Sequence, residues 1–150
     1  MNAIDIVKEQ AAAYDAGKSY AVVTIVHSDG STPRSSGKMI VYADGTTRGT
    51  IGGGAVELIA IKDAIKCIEN GANAYKEYDL TSPSSNTGMT CGGDMSVLIE
   101  AFIAKPLLVM IGAGHVGAAV MHIAESIGYD TLLIDDRADE QIADKIAAAG

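Results

Sequence analysis

The chain reads as an α/β protein: an α+β unit over residues 1–104, then an incomplete Rossmann-like β-α-β-α unit over 105–150. Three observations predict this. Residues 19–27, Ser-Tyr-Ala-Val-Val-Thr-Ile-Val-His, are rich in the β-branched side chains of a buried strand. Asp44-Gly45 lies between two strand-like stretches and signals a hairpin. Gly112-Ala113-Gly114-His115-Val116-Gly117 has an apolar strand before it, a helix after it and an acid at the end of the next strand. A G-x-G-x-x-G needs that context to mean more than a turn.

The elements follow in order. Residues 3 to about 16 have helical periodicity, with Ile4, Val7, Ala11 and Tyr14 expected on the buried face and Gly17 as a stop. After the 19–27 strand comes a polar loop, 28–37. Lys38–Ala43 and Thr46–Ile51 are the hairpin strands. A helix starts near Ala55, with Leu58, Ile61, Ile65 and Ile68 as its expected apolar stripe and Asn70-Gly71 as its end. Ala74–Leu80 and Asp94–Phe102 read as two more strands, separated by a loop of Ser, Thr, Asn and Gly. Lys105-Pro106 marks a junction. Leu107–Ile111, a helix to about Ile127, Thr131–Ile134 and a helix over roughly Asp139–Ala149 follow. A mononucleotide-binding half needs a third strand. Either the protein continues past residue 150 or a partner covers what the missing strands would.

Composition narrows the function. The chain has 150 residues, 48% hydrophobic, with 17 Gly, no Trp and one Phe, so its core is aliphatic. Nineteen acids against eleven bases give a net charge of −8. The Lys and Arg are scattered, which argues against nucleic acid and anionic membranes as partners. Two cysteines, Cys67 and Cys91, do not make a disulfide framework. The N-terminus lacks a signal pattern, and no run reaches the ~20 apolar residues of a membrane span. A cytoplasmic protein is expected. His27, His115 and His122 show no metal-ligand spacing, so no side-chain metal site is assigned.

The richest stretch is Gly49-Thr50-Ile51-Gly52-Gly53-Gly54-Ala55-Val56-Glu57. Gly52, Gly53 and Gly54 permit φ > 0 and close approach of a ligand, and the helix after them offers free N–H groups to an anion. The plain alternative is a tight strand-to-helix turn with no ligand. Glu57 falls where a carboxylate complements the helix dipole, which rivals a role as proton acceptor or partner of a ligand amine. Arg34 follows Pro33 among Ser31, Thr32 and Ser35, a set of donors suited to phosphate or carboxylate. In the second unit, Gly112, Gly114 and Gly117 would serve the turn, the approach of a pyrophosphate and helix packing, and Asp135 would reach a ribose hydroxyl. Arg137 beside Asp136 leaves a 2′-phosphate open as well.

Gly30-Ser31-Thr32-Pro33-Arg34, Gly49–Gly54 with Glu57, and Met89 with Cys91-Gly92-Gly93 occur in an order that resembles the N-terminal domain of the XdhC/CoxI family, over roughly residues 1–137. These are accessory factors of xanthine dehydrogenase and related molybdenum hydroxylases. The resemblance implies binding of molybdenum cofactor (molybdopterin), support of its sulfuration with a cysteine desulfurase, and delivery to a hydroxylase client. It favours a cofactor-binding chaperone over a catalyst. Cofactor contacts would come from Arg34, Gly52, Gly53, Gly54, Glu57, Gly92 and Gly93. Cys91, in a Gly-rich polar loop, becomes the candidate for a sulfur or molybdenum contact; its plain alternative is a small residue packed under the glycines. Cys67, beside Ala60 and Ala64 on a helix, reads as a small buried hydrophobe. The competing reading is an NAD(P)-binding regulatory or oxidoreductase module centred on residues 106–150. The apolar strands of that unit have too few neighbours, so a homodimer or larger oligomer is expected.

Overall fold

The computed structural model describes residues 3–30, 36–79, 93–137 and 143–144. The chain divides into two compact units, Met1–Ala104 and Lys105–Gly150. The elements are α1 (Ala3–Asp15), β1 (Tyr20–Gly30), β2 (Lys38–Tyr42), β3 (Thr47–Thr50), α2 (Gly54–Asn70), β4 (Ala74–Asp79), β5 (Gly93–Phe102), β6 (Leu107–Ile111), α3 (His115–Ser126) and β7 (Asp130–Ile134).

The first unit is a five-stranded sheet of order β3-β2-β1-β5-β4, with every neighbouring pair antiparallel. β1 is central, so its alternate residues face two different cores. Ala21, Val23 and Ile25 point to α2, with Met39, Val41, Met95, Val97 and Ile99. Tyr20 and Val22 point to α1, with Ile40, Ile6 and Ala13. β-branched residues pack well on a half-buried pleat, which is why this run is a strand rather than a helix.

β1 runs three residues beyond the expected strand. Ser28, Asp29 and Gly30 pair with Met95, Asp94 and Gly93 of β5, after a register irregularity between Ile25 and His27. The long β5 supplies a ladder that local turn propensity cannot outweigh.

α1 buries a different stripe from the one its spacing suggests, and α2 buries the expected stripe only in part. In α1, Val7 and Tyr14 are 63% and 76% exposed, while Ile6 and Ala13 are buried. Glu9 lies on that inner face and accepts a 2.8 Å hydrogen bond from the Tyr42 hydroxyl. Arg48 pairs with the same carboxylate at 3.5 Å. The polar contact, absent from hydrophobic periodicity, selects the helix face. In α2 the buried residues are Val56, Ala60, Ala64, Cys67 and Ile68. Leu58 is 62% exposed, and Ile61 and Ile65 pack at the flanks. Small residues let the helix sit close on the sheet, where Met39 and Met95 fill the gap. Gly71 ends α2 in the left-handed region at φ 62°, with Gly71 N–H donating to Ile68 O and Ala72 N–H to Cys67 O. This is a Schellman stop at the expected place.

In the second unit β6 and β7 are parallel, with Leu107 opposite Asp130 and Ile111 opposite Ile134, and α3 connects them. Of the helix expected over 139–149, Ala143 and Asp144 are helical and the remainder lies outside the described residues. No helix among the described residues is long and apolar enough to cross a membrane.

Two expectations follow. Ala60→Leu overpacks the α2–sheet interface and lowers stability by about 1–3 kcal/mol, whereas Leu58→Ala stays within about 0.5 kcal/mol; denaturant midpoints of the two variants distinguish them. Desolvation and then the Glu9 hydrogen bond push the Tyr42 phenol up to about 12, and desolvation with Asp63 nearby raises Tyr78 as well. A raised folded-state pKa contributes stability that is intact below the unfolded value near 10 and lost as pH climbs through the folded one. Alkaline unfolding between pH 10 and 12 should therefore weaken in Tyr42→Phe, read by circular dichroism against pH.

Candidate functional site

The β3–α2 junction carries the glycine run. Gly52, Gly53 and Gly54 take φ of 135°, 80° and 69°, three successive positions that residues with a Cβ rarely adopt. Gly53 is the N-cap of α2 and supplies no side-chain cap. Glu57, one turn into the helix, does that work from below. Its Oε2 accepts from Thr50 Oγ1 at 2.5 Å, from Ile51 N–H at 3.1 Å and from Gly53 N–H at 3.0 Å. Gly52 N–H donates to Thr50 Oγ1 at 3.0 Å. A carboxylate at a helix start is favoured by the dipole and by charge-assisted bonds. An added Cβ on Gly53 would meet nothing within 4 Å.

Other expected residues converge on this end of the sheet through their flanks. Gly37 packs against the Thr50 carbonyl and Ile51, where a Cβ would clash, and its own carbonyl accepts from Ile25 N–H at 3.0 Å. Gly37 therefore lies beside the glycine turn. Asp79 and Gly93 bracket the segment carrying Cys91, and Gly93 pairs with Gly30 at the tip of the β1–β5 ribbon. That tip reaches about 20 Å past Thr24, where β2 begins. Arg34, Cys91 and Gly92 themselves lie outside the described residues, as do Ser31, Thr32, Ser35 and Met89. Gly93 is buried as the first residue of β5.

The pairing register also aligns three carboxylates that sequence spacing hides. Asp29 is opposite Asp94, and Asp94 is opposite Asp79, a row across three strands at the ribbon tip. Like charges directly opposite disfavour a sheet. Among the described residues no group of three His, Cys, Asp or Glu has metal-holding geometry. Cys67 is buried against the sheet, and burial pushes its thiol up, which suits packing rather than thiolate chemistry.

The second unit has its own glycine turn. Gly112 takes φ 101° and donates its N–H to Ile134 O at 2.8 Å. Gly114 caps α3 in extended backbone, with open space around it. An added Cβ at Gly117 would run into the Gly112 carbonyl oxygen, so the third glycine serves close helix–strand packing. Asp135 accepts from Ala113 N–H at 2.5 Å and from Arg137 Nε and NH2 at 2.7 Å each. The Arg137 fork first, and then the Ala113 N–H, hold this carboxyl well below the usual range. A ribose hydroxyl would have to share Asp135 with both partners.

Residues 13–79 match the model of the XdhC and CoxI family. Two proteins of Escherichia coli K12 are similar to the chain. YqeB, an uncharacterised protein, is 40% identical over 117 residues, which are 77% of this chain and 22% of YqeB. PaoD, a molybdenum cofactor insertion chaperone, is 31% identical over 97 residues, 63% of this chain and 30% of PaoD. The matched region thus spans less than a third of either relative. A crystal structure described as a xanthine dehydrogenase from Bacillus halodurans has a TM-score of 0.57 at 18% identity, over 96% of this chain and 66% of that one. At that identity the likeness is one of fold.

Gly117→Ala should destabilise the second unit by about 1–3 kcal/mol through the Gly112 carbonyl, while Gly114→Ala should leave it within about 0.5 kcal/mol. Hydrogen exchange of β6 and α3 amides reads the difference; equal protection in both variants would contradict the packing role.

Proposed function

We propose, from the membership of residues 13–79 in the XdhC and CoxI family, that this chain handles molybdenum cofactor as a chaperone, holding it for sulfuration and passing it to a hydroxylase client. A cysteine desulfurase would be the sulfur source. The observation that carries the reading is the junction at Gly52–Gly54: three consecutive glycines at positive φ, braced by Glu57, with open space beside Gly53 and the flanks of the Arg34 and Cys91 segments at the same end of the sheet. PaoD, whose name records cofactor insertion, aligns with the chain at 31% identity. The residues present fit such a group. Glycines give close approach without a Cβ in the way, and the first N–H groups of α2 lack an intrahelical acceptor. Arg34 would meet a phosphate, and Cys91 would supply a thiolate that holds sulfur or metal. Bound cofactor would bring the molybdenum and the dithiolene on which a client's chemistry depends.

A second reading assigns NAD(P) to the second unit. The Gly112 turn and the parallel β6-α3-β7 arrangement favour it. The engagement of Asp135 by Ala113 and Arg137 disfavours it. The exposed apolar residues Leu107, Val109, Ile111, Leu132 and Ile134 support the idea that this unit pairs with a second copy or another chain.

Titration of the purified chain with released molybdenum cofactor and, separately, with NADH tests the reading by absorbance and by retention on gel filtration. Cofactor should be retained and NADH should not. Cys91→Ser and Arg34→Ala should each weaken retention by about tenfold or more, the scale of a lost charge-assisted contact. Cys67→Ala should lower stability and leave retention unchanged. Equal loss from Cys67→Ala and Cys91→Ser at unchanged folding would overturn the assignment.

A further inference from the structure

We propose that the β2–β3 hairpin and the end of α1 form a second binding site, for a small monocarboxylate. Val41 pairs with Thr47 beside the hairpin turn, and Lys38 pairs with Thr50 beside the glycines. The new site is at the hairpin-turn end, so it does not depend on the cofactor reading of the glycine turn. A cavity of about 310 Å³ opens there, and its lining includes Glu9, Lys18, Ser19, Tyr42, Asp44 and Arg48. That volume is at the small end of the range for ligand pockets. Its walls are fixed by backbone bonds. Gly17 ends α1 at φ 60°, and Lys18 N–H donates to the Ala13 carbonyl at 2.9 Å. On the hairpin side, Tyr42 N–H donates to Thr46 O and Gly45 N–H to Tyr42 O, both at 2.9 Å. A preformed pocket spares its ligand the cost of ordering the protein.

Charge selects the ligand. Both acids of the lining already have donors. Glu9 Oε1 accepts from the Tyr42 hydroxyl at 2.8 Å and lies 3.5 Å from Arg48 Nε. Asp44 Oδ1 accepts from Thr46 N–H at 2.9 Å and from the Thr46 hydroxyl at 2.6 Å. Lys18 Nζ stands 5.7 Å from the centroid of the Tyr42 ring, a contact that places an ammonium over the aromatic face. Arg48 uses Nε on Glu9 and NH1 on the Thr47 carbonyl at 3.3 Å. A guanidinium has further N–H donors, and a planar carboxylate is their geometric complement. With Lys18 and Arg48 against Glu9 and Asp44 the charged lining is formally neutral. One added negative charge is then met by the two cations, whereas a dianion would also meet the repulsion of both acids. The Tyr42 ring gives the rest of the molecule an apolar wall.

The test titrates propionate and, separately, inorganic phosphate into the full chain at constant ionic strength and follows backbone amide chemical shifts. Propionate should shift the Lys18, Ser19 and Thr46 amides saturably and leave Gly53 in place. Phosphate should bind there more weakly than propionate. Lys18→Ala and Arg48→Ala should each weaken propionate binding by about fivefold, the upper scale of an exposed ion pair. Both side chains belong to exposed residues, so the variants should keep the wild-type shifts of core amides such as Val23 and Val97, and the wild-type titrations stand even if a variant folds poorly. No saturable shift at the three amides, phosphate binding as tightly as propionate, or unchanged propionate binding in both variants overturns the proposal. None of these results bears on whether the glycine turn holds molybdenum cofactor.

Discussion

The β3–α2 junction depends on one carboxylate. Three successive residues at positive φ turn their N–H groups out of the sheet ladder and leave them short of the helix ladder, because the first N–H groups of a helix have no intrahelical acceptor. Left unpaired in a half-buried turn, each would carry a desolvation cost. Glu57 gathers one of these groups, the Gly53 N–H, together with the Ile51 N–H and the Thr50 hydroxyl on a single oxygen. Removing it would free the glycines to sample many backbone conformations, since Gly loses more entropy on ordering than any other residue. The shape of the candidate site, the start of α2 and the approach of Gly37 all follow from that contact.

The second unit solves the same problem in the same way. Its glycine turn is tied by Asp135, which reaches Ala113 N–H from the end of β7 and is itself clamped by Arg137. Each turn thus carries its own negative charge, supplied from downstream in the chain. Glycine-rich strand-to-helix turns are usually read as anion sites. Here part of each turn's donor set is answered internally, by Glu57 and by Asp135. This is why the glycine pattern alone does not decide the ligand chemistry of either unit, and why the side chain facing each turn does.

The surrounding sheet provides the rigidity such turns need. β1 is buried on both faces, with α1 on one side and α2 on the other, and its long ladder with β5 brings Gly30 and Gly93 together at one end. A site built from loops is only as precise as the scaffold that positions them. Small residues on α2 bring the helix close enough for Glu57 to reach back to Thr50, so core packing and site geometry are one arrangement.

Much of the fold was legible in the sequence because it rests on local chemistry. The β-branched run of β1, the Asp44-Gly45 hairpin, the Gly71 stop and the context of Gly112–Gly117 each follow from what one residue type permits in its own backbone. The glycines at 52–54 were legible for the same reason: only Gly takes φ > 0 without strain. The face of α1 was not legible and that of α2 only in part, since periodicity counts apolar residues and misses a Glu9–Tyr42 contact or the advantage of alanines against a sheet. Nor was the meeting of Asp29, Asp94 and Asp79, which depends on the register of two strand pairs far apart in sequence. The three donors that Glu57 meets on the preceding turn were not legible either, because a side chain's partners are set by the fold that surrounds it and not by its place in the chain.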